Sequence, residues 1–222
     1  MFVALYDWFR DHLKCTICGS VPRERALMAV IAQSFPNYRE LRIHESSPGG
    51  RGTSVKLKQQ CKEYSFSHFF PNVPPGQISP ESGARCENLE RMTFPEGSFD
   101  LFVTQDVLEH IFDPVLAFEE IKRVLRPGGA HIFTVPLVNK WRPSADRAVR
   151  TSSGEIQFLS PPQYHGNPVD RNGSLVTRDW GYDIAGVILE HTGMSSVIMA
   201  IDDLHLGLRA EYLEVVVSRK NG

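Results

Sequence analysis

Apolar positions along the chain change rhythm several times, and each change predicts an element. Leu41 to Glu45 is short and alternating, which reads as a strand, and Tyr64 to Phe70, Arg85 to Leu89 and Phe99 to Thr104 follow as further strand candidates. Ahead of them, Arg23 to Gln33 places Leu27, Val30 and Ile31 on one side of a helix. Thr53 to Glu63 offers Val55, Leu57 and Cys61 for packing in the same way. The strongest helical stripe runs from Asp113 to Leu125, with Val115, Leu116, Phe118, Ile121, Val124 and Leu125 on one side. Proline and glycine mark the boundaries. Pro22 and Pro114 stand where helices open, Asp113 can cap the second, and Pro127-Gly128-Gly129 ends it before a strand from Ala130 to Pro136. Asp179 to Thr192 reads as a helix stopped by Gly193, followed by Ser196–Ile201 and Tyr212–Arg219 as two antiparallel strands. Strands alternating with helices predict an α/β fold, a largely parallel sheet with helices on both faces.

Composition narrows the class. The chain has 222 residues, 41% hydrophobic and 23% charged, which suits one globular α/β domain. A formal charge of −2 and a pI near 6.4 give no general attraction for nucleic acid or an anionic membrane. The N-terminus lacks a basic region, Asp7, Arg10 and Asp11 interrupt its apolar residues, and no stretch is long and apolar enough to span a bilayer. With four unevenly spaced cysteines, a reducing cytoplasmic location is the expectation.

Residues 88–136 carry most of the functional information. In order they give Asn88-Leu-Glu-Arg-Met-Thr-Phe-Pro95, Ser98-Phe-Asp-Leu101, Asp106-Val-Leu-Glu-His-Ile111, Ile121-Lys-Arg-Val-Leu-Arg-Pro-Gly-Gly129 and Phe133-Thr-Val-Pro136. This series resembles the class I S-adenosylmethionine-dependent methyltransferases, in particular the subgroup with an "LPF…SFD…LEH…RVLKPGG" signature. Many of these residues are explained as core of any doubly wound sheet. The run Asp106 to His110 is not, because it puts charged groups just past a strand's carboxyl end, where open α/β sheets hold ligands. The resemblance implies a Rossmann-like three-layer sandwich whose seven-stranded sheet is mostly parallel with an antiparallel last strand. It also implies methyl transfer from S-adenosylmethionine to a small-molecule or glycan-type acceptor. A catalytically silent S-adenosylmethionine binder with a partner-interaction role is the alternative. A nucleotide-linked oxidoreductase is disfavoured, since no Gly-x-Gly-x-x-Gly follows the first strand.

The resemblance places the cofactor after the first strand, at His44, Glu45, Ser46, Ser47, Gly49 and Gly50. Here the chain departs from the family. Ser46 and Ser47 stand where glycines are expected, His44 or Glu45 fills the acidic position, and Gly49 and Gly50 are expected to supply the unusual backbone angles. The second strand ends without the usual ribose-binding carboxylate, leaving Ser67 or His68 in its place. Asn88 and Leu89 match the adenine-facing positions, and Gln105 completes the cofactor set. A base is needed only for a hydroxyl or protonated amine acceptor, and His110, His165, Asp106 and Glu109 are the candidates.

Two segments flank this frame: residues 1–36, and an insertion at 138–176 within a domain spanning 37–222. The first holds Cys15-Thr-Ile-Cys18-Gly19, half of a zinc knuckle. A structural site needs four ligands, Cys61 and Cys86 are isolated, and His12 is one further ligand of the right type. Only 14 residues precede Cys15, so a partner pair upstream would lie outside this sequence. An interaction module built on this knuckle is therefore a third functional class. The insertion is long, polar and rich in Pro, Gly and Arg, includes the run Pro161 to Pro168, and contains no metal-ligand spacing. Leaving the fifth strand, it is placed to cover the pocket mouth, with Trp141, Tyr164 and His165 as substrate-side candidates.

Overall fold

The computed structural model describes residues 1–167 and 170–222; Pro168, which closes the Pro161–Pro168 run, lies outside them. In chain order its framework is α1 (Pro22–Ser34), β1 (Arg42–Ser46), α2 (Gly52–Gln60), β2 (Glu63–His68), β3 (Arg85–Cys86), β4 (Phe99–Gln105), α3 (Pro114–Val124), β5 (Leu125–Thr134), α4 (Ile184–Thr192), β6 (Ser195–Met199) and β7 (Val215–Arg219). The strands form one sheet in the order β6-β7-β5-β4-β1-β2-β3. Strands β1 to β5 run parallel, whereas β7 lies antiparallel between β5 and β6. This is the expected Rossmann-like sheet. Strand order reverses between β1 and β4, so the two chain halves leave in opposite directions and open a crevice at the carboxyl ends.

Alternation along the central strands builds both layers. Leu101 and Val103 of β4 join Leu27, Ile31, Ile43, Leu57 and Ile132 on the α1/α2 face. Phe102, one residue out of step, joins Phe118, Ile121, Phe133, Trp180 and Ile188 on the α3/α4 face. The Asp113 carboxylate caps α3 by accepting from the Leu116 N–H at 3.1 Å, with Pro114 next in line as the sequence predicts.

Several boundaries differ from the sequence pattern. Strand β5 begins at Leu125 and runs through Pro127-Gly128-Gly129, with a register shift opposite Phe99–Leu101. Gly129 is required there, because a Cβ would come within 2.9 Å of the Arg126 and Asp100 carbonyl oxygens. Helix α4 starts at Ile184 rather than Asp179, since Arg178–Asp179 pair with Ala145–Asp146 instead. Trp180 is then buried with its indole N–H directed to the Leu108 carbonyl at 3.3 Å. The 138–176 insertion is folded into short antiparallel ladders: Ala148–Arg150 with Ile156–Phe158, and Tyr164–His165 with Ser174–Leu175. Among the described residues no helix is long and apolar enough to cross a membrane.

Candidate functional site

At the end of β1 the chain turns through Ser46 to Arg51 into α2. Glu45 is fully buried and accepts three hydrogen bonds, from Ser54 Oγ (2.7 Å), Tyr64 Oη (2.7 Å) and Gln105 Nε2 (2.6 Å). Ser54 also accepts from the Gly49 N–H at 3.0 Å, so the carboxylate reaches the loop through one hydroxyl. Burial pushes the Glu45 carboxyl above its ordinary range, against the pull of those donors. The neighbouring His44 faces the other way. Its Nδ1 and Nε2 lie 2.9 Å from Ser65 Oγ and Ser67 Oγ, and its ring packs on Phe94, Phe99 and Phe102. Burial lowers this imidazole to about 3, so it is neutral.

The loop corrects one sequence expectation. Gly49 and Gly50 do not adopt left-handed backbone; Ser47 (φ 56°) and Gly52 (φ 58°) do. Gly52 has no alternative, since a Cβ there would overlap the Glu24 side chain of α1. A Cβ at Gly49 or Gly50, in contrast, would meet no protein atom within 4 Å, so intramolecular packing does not keep these positions small. Both positions are exposed, so the main chain there is open to close approach by a ligand. The loop thus fits S-adenosylmethionine in backbone shape despite its serines. The ribose position fits less well: Ser67 is buried and engaged by His44, and His68 alone stands half-buried at the end of β2. Beyond β3, Asn88 Oδ1 accepts from the Glu90 N–H at 3.0 Å, and Leu89 is buried in the α3/α4-face core.

Past β4, Asp106 takes left-handed backbone (φ 52°) and is held from several sides. Arg10 grips it through two nitrogens at 2.9 and 3.0 Å, Arg23 Nε lies 3.0 Å away, and Thr134 Oγ1 donates at 3.0 Å. Burial alone would raise this carboxyl, but the two guanidiniums hold it well below the usual range. Arg10 was not legible as a site residue: it lies 96 positions from its partner and nothing around it signals the contact. Asp106 is therefore an anchor for the N-terminal segment, with both oxygens occupied.

The residues just downstream behave differently. Glu109 is buried, with its side chain 2% exposed, and neither carboxylate oxygen accepts a hydrogen bond from a described residue. His110 Nε2 and His165 Nδ1 approach Glu109 Oε1 to 3.8 and 3.7 Å. The carboxylate raises the His165 imidazole above its ordinary value, partly offset by burial. The Tyr164–His165 ladder and the Thr177 N–H, which donates to the Glu109 carbonyl at 2.7 Å, bring the insertion onto this segment. A cavity of about 290 Å³ opens beside it, bordered by Glu109, Asn139, Arg147, Gln163, His165 and Arg178, among others. Tyr164 and Trp141 do not line it: Tyr164 is exposed, and Trp141 is 88% exposed with its ring edge against Tyr182. In the N-terminal segment Cys15 and Cys18 form the expected turn, with Gly19 N–H donating to Cys15 O at 2.9 Å. Among the described residues they belong to no group of three metal-capable side chains.

Comparison with known proteins agrees with this geometry. Residues 68–133, from the end of β2 into β5, match the methyltransferase domain family. Over this stretch, under a third of its length, the chain is similar to methyltransferases. A 45-residue stretch is 44% identical to an uncharacterised methyltransferase of Schizosaccharomyces pombe, covering 20% of this chain and 16% of that one. The matches span about a quarter or less of the curated relatives' length. Two solved structures share the fold. An S-adenosylmethionine-dependent methyltransferase from Mesorhizobium loti aligns over 88% of this chain and 98% of its own, with TM-score 0.54 and 15% identity. The 1,6-didemethyltoxoflavin-N1-methyltransferase of Burkholderia thailandensis, solved with that substrate and S-adenosylhomocysteine, aligns over 90% of this chain and 79% of its own, with TM-score 0.53 and 16% identity.

Proposed function

We propose that this protein transfers a methyl group from S-adenosylmethionine to a polar small-molecule or glycan-type acceptor. The observation that carries the reading is the Ser46–Gly50 loop, a left-handed turn followed by two glycines that no protein atom crowds, at the switch point of a methyltransferase sheet. Main-chain groups of this loop hold the methionine side of the cofactor, Glu45 fixes the loop through Ser54, and Asn88 and Leu89 border the adenine. His68 is the ribose-side group.

When bound, S-adenosylmethionine supplies a methyl group on a positively charged sulfur, and its displacement is in line and releases a neutral thioether. The chain's work is alignment and exclusion of water. The cavity beside Glu109 is the acceptor side, walled by the insertion, and its polar border of Asn139, Gln163, Arg147 and Arg178 suits a hydroxyl-rich ligand. Glu109 and His165 border it and His110 stands beside Glu109, whereas Asp106, fully engaged by Arg10, Arg23 and Thr134, is unavailable to take a proton. A crystal structure with S-adenosylhomocysteine tests the reading. We expect the ligand against Ser46–Gly50 with its adenine beside Leu89; a ligand bound elsewhere, or none at saturating concentration, contradicts it.

A further inference from the structure

We propose that Glu109, His110 and His165 form a binding site for one divalent transition-metal ion, of the Zn²⁺ or Co²⁺ kind, beside the acceptor-side cavity that Glu109 and His165 border. Three observations converge on it. First, Glu109 carries a buried carboxylate with neither oxygen hydrogen-bonded by a described residue, and leaving such a group unpartnered costs several kcal/mol by the usual desolvation argument. The two imidazoles nearest to it stand too far off to bond it directly.

Second, the imidazoles present the right atoms. His110 Nδ1 lies 2.8 Å from the Leu175 carbonyl oxygen, which can only accept, so Nδ1 carries a proton and Nε2, on the Glu109 side, is the nitrogen left to bind an ion. A backbone carbonyl behind the remote ring nitrogen is the common support for a metal-ligating histidine, because it fixes both tautomer and ring plane. His165 turns Nδ1 toward the same point, with Gln163 3.4 Å from its Nε2. The two rings meet edge to face at 5.3 Å.

Third, the spacing fits an ion. The three ligand atoms lie within 4.8 Å of one another, the two measured from Glu109 Oε1 being 3.7 and 3.8 Å. Ligands held at about 2.0–2.2 Å in a tetrahedral site stand roughly 3.3 Å apart, so a small inward movement of side chains closes the triangle. Two imidazoles and a carboxylate favour a borderline ion over Mg²⁺ or Ca²⁺, and three protein ligands leave open positions on the cavity side. There an oxygen of a hydroxyl-bearing ligand can complete the shell. That last role rests on the methyl-transfer reading; the site itself does not.

The test is calorimetric titration of Zn²⁺ into the chelator-stripped full chain, run in a Cys15→Ser/Cys18→Ser background so that the half-knuckle cannot contribute. Co²⁺ absorption then reports the ligand field. We expect one ion per chain with Kd near or below about 1 μM, weakened about a hundredfold or more in Glu109→Gln. His165→Ala, at a half-exposed position, should weaken it similarly while circular dichroism shows an unchanged fold. No stoichiometric ion in the folded chain, or equal affinity in both variants, overturns the site. S-adenosylmethionine titrated into the same samples separates the two ideas. Cofactor binding without metal sinks only the metal site, and metal without cofactor keeps the site but removes its place in methyl transfer.

Discussion

Two buried glutamates stand at the carboxyl ends of the sheet, and they are held in opposite ways. Glu45 accepts from Ser54, Tyr64 and Gln105, drawn from α2, β2 and β4, and so ties three elements to the turn after β1. Glu109 is just as inaccessible, yet it accepts nothing from the described residues and faces two imidazoles across a gap. A satisfied buried carboxylate is scaffolding: its bonds fix where the loop sits before any ligand arrives. An unsatisfied one lowers the stability of the ligand-free chain, and it persists where a ligand compensates it. Identical side chains at matching ends of the same sheet thus separate the part that is preformed from the part that is completed on binding.

The largest effect should come from breaking the satisfied partner. Glu45→Ala removes the shared acceptor of three donors and opens a cavity, for a loss of about 4 kcal/mol in urea denaturation, whereas Glu109→Gln, which removes an unpartnered buried charge, should raise the stability of the metal-free chain by about 1 kcal/mol or more. Equal losses at both positions would erase the contrast. Acid should act next. His44, on the scaffold side, and His131 of β5 are both held near 3, below the ordinary 6.5, by burial. Below 6.5 the unfolded chain takes up protons that these folded imidazoles refuse, so stability falls as pH drops from 6.5 toward 3. The slope is about 1.4 kcal/mol per unit for each histidine. Denaturation at pH 6.5 and 5.5 should therefore differ by about 2 kcal/mol, since the full slope is reached only below 6.5, and His131→Gln should roughly halve the difference; a flat profile would mean the imidazoles are protonated when folded. The smallest effect concerns the ribose. His68→Asp should tighten S-adenosylmethionine binding about tenfold, because a charged acceptor replaces a neutral one. Ser67→Asp should not, since that position serves His44. Tightening by Ser67→Asp alone would reverse the assigned faces of β2.

The sheet was legible because its signals are local. Alternation in Phe99–Thr104, the stripe of Asp113–Leu125 and the helix stop before Pro127-Gly128-Gly129 each report on neighbours within a few residues. The site was legible in part. Glu109, His110 and His165 stood out as chemistry-bearing residues, but their meeting depends on a ladder inside the insertion that carries no periodic pattern. Ligand spacing could not be read across 55 positions. Nor could the Arg10 clasp on Asp106, or which of His44 and Glu45 faces the loop, a matter of a one-residue register that only pairing with β2 and β4 fixes. The left-handed turn fell on Ser47 rather than on the glycines after it, because the neighbouring β2 holds its backbone: the Ser47 N–H donates to the Ser67 carbonyl at 2.7 Å.

The central claim is that the loop after β1 is shaped for a ligand rather than for the protein's own packing, and calorimetry of S-adenosylmethionine with Gly49→Val tests it most directly. A Cβ at Gly49 meets no protein atom within 4 Å, so the variant should fold with unchanged stability while cofactor affinity falls at least about tenfold. Unchanged affinity in a folded Gly49→Val chain, or no binding by the parent protein, would contradict the account.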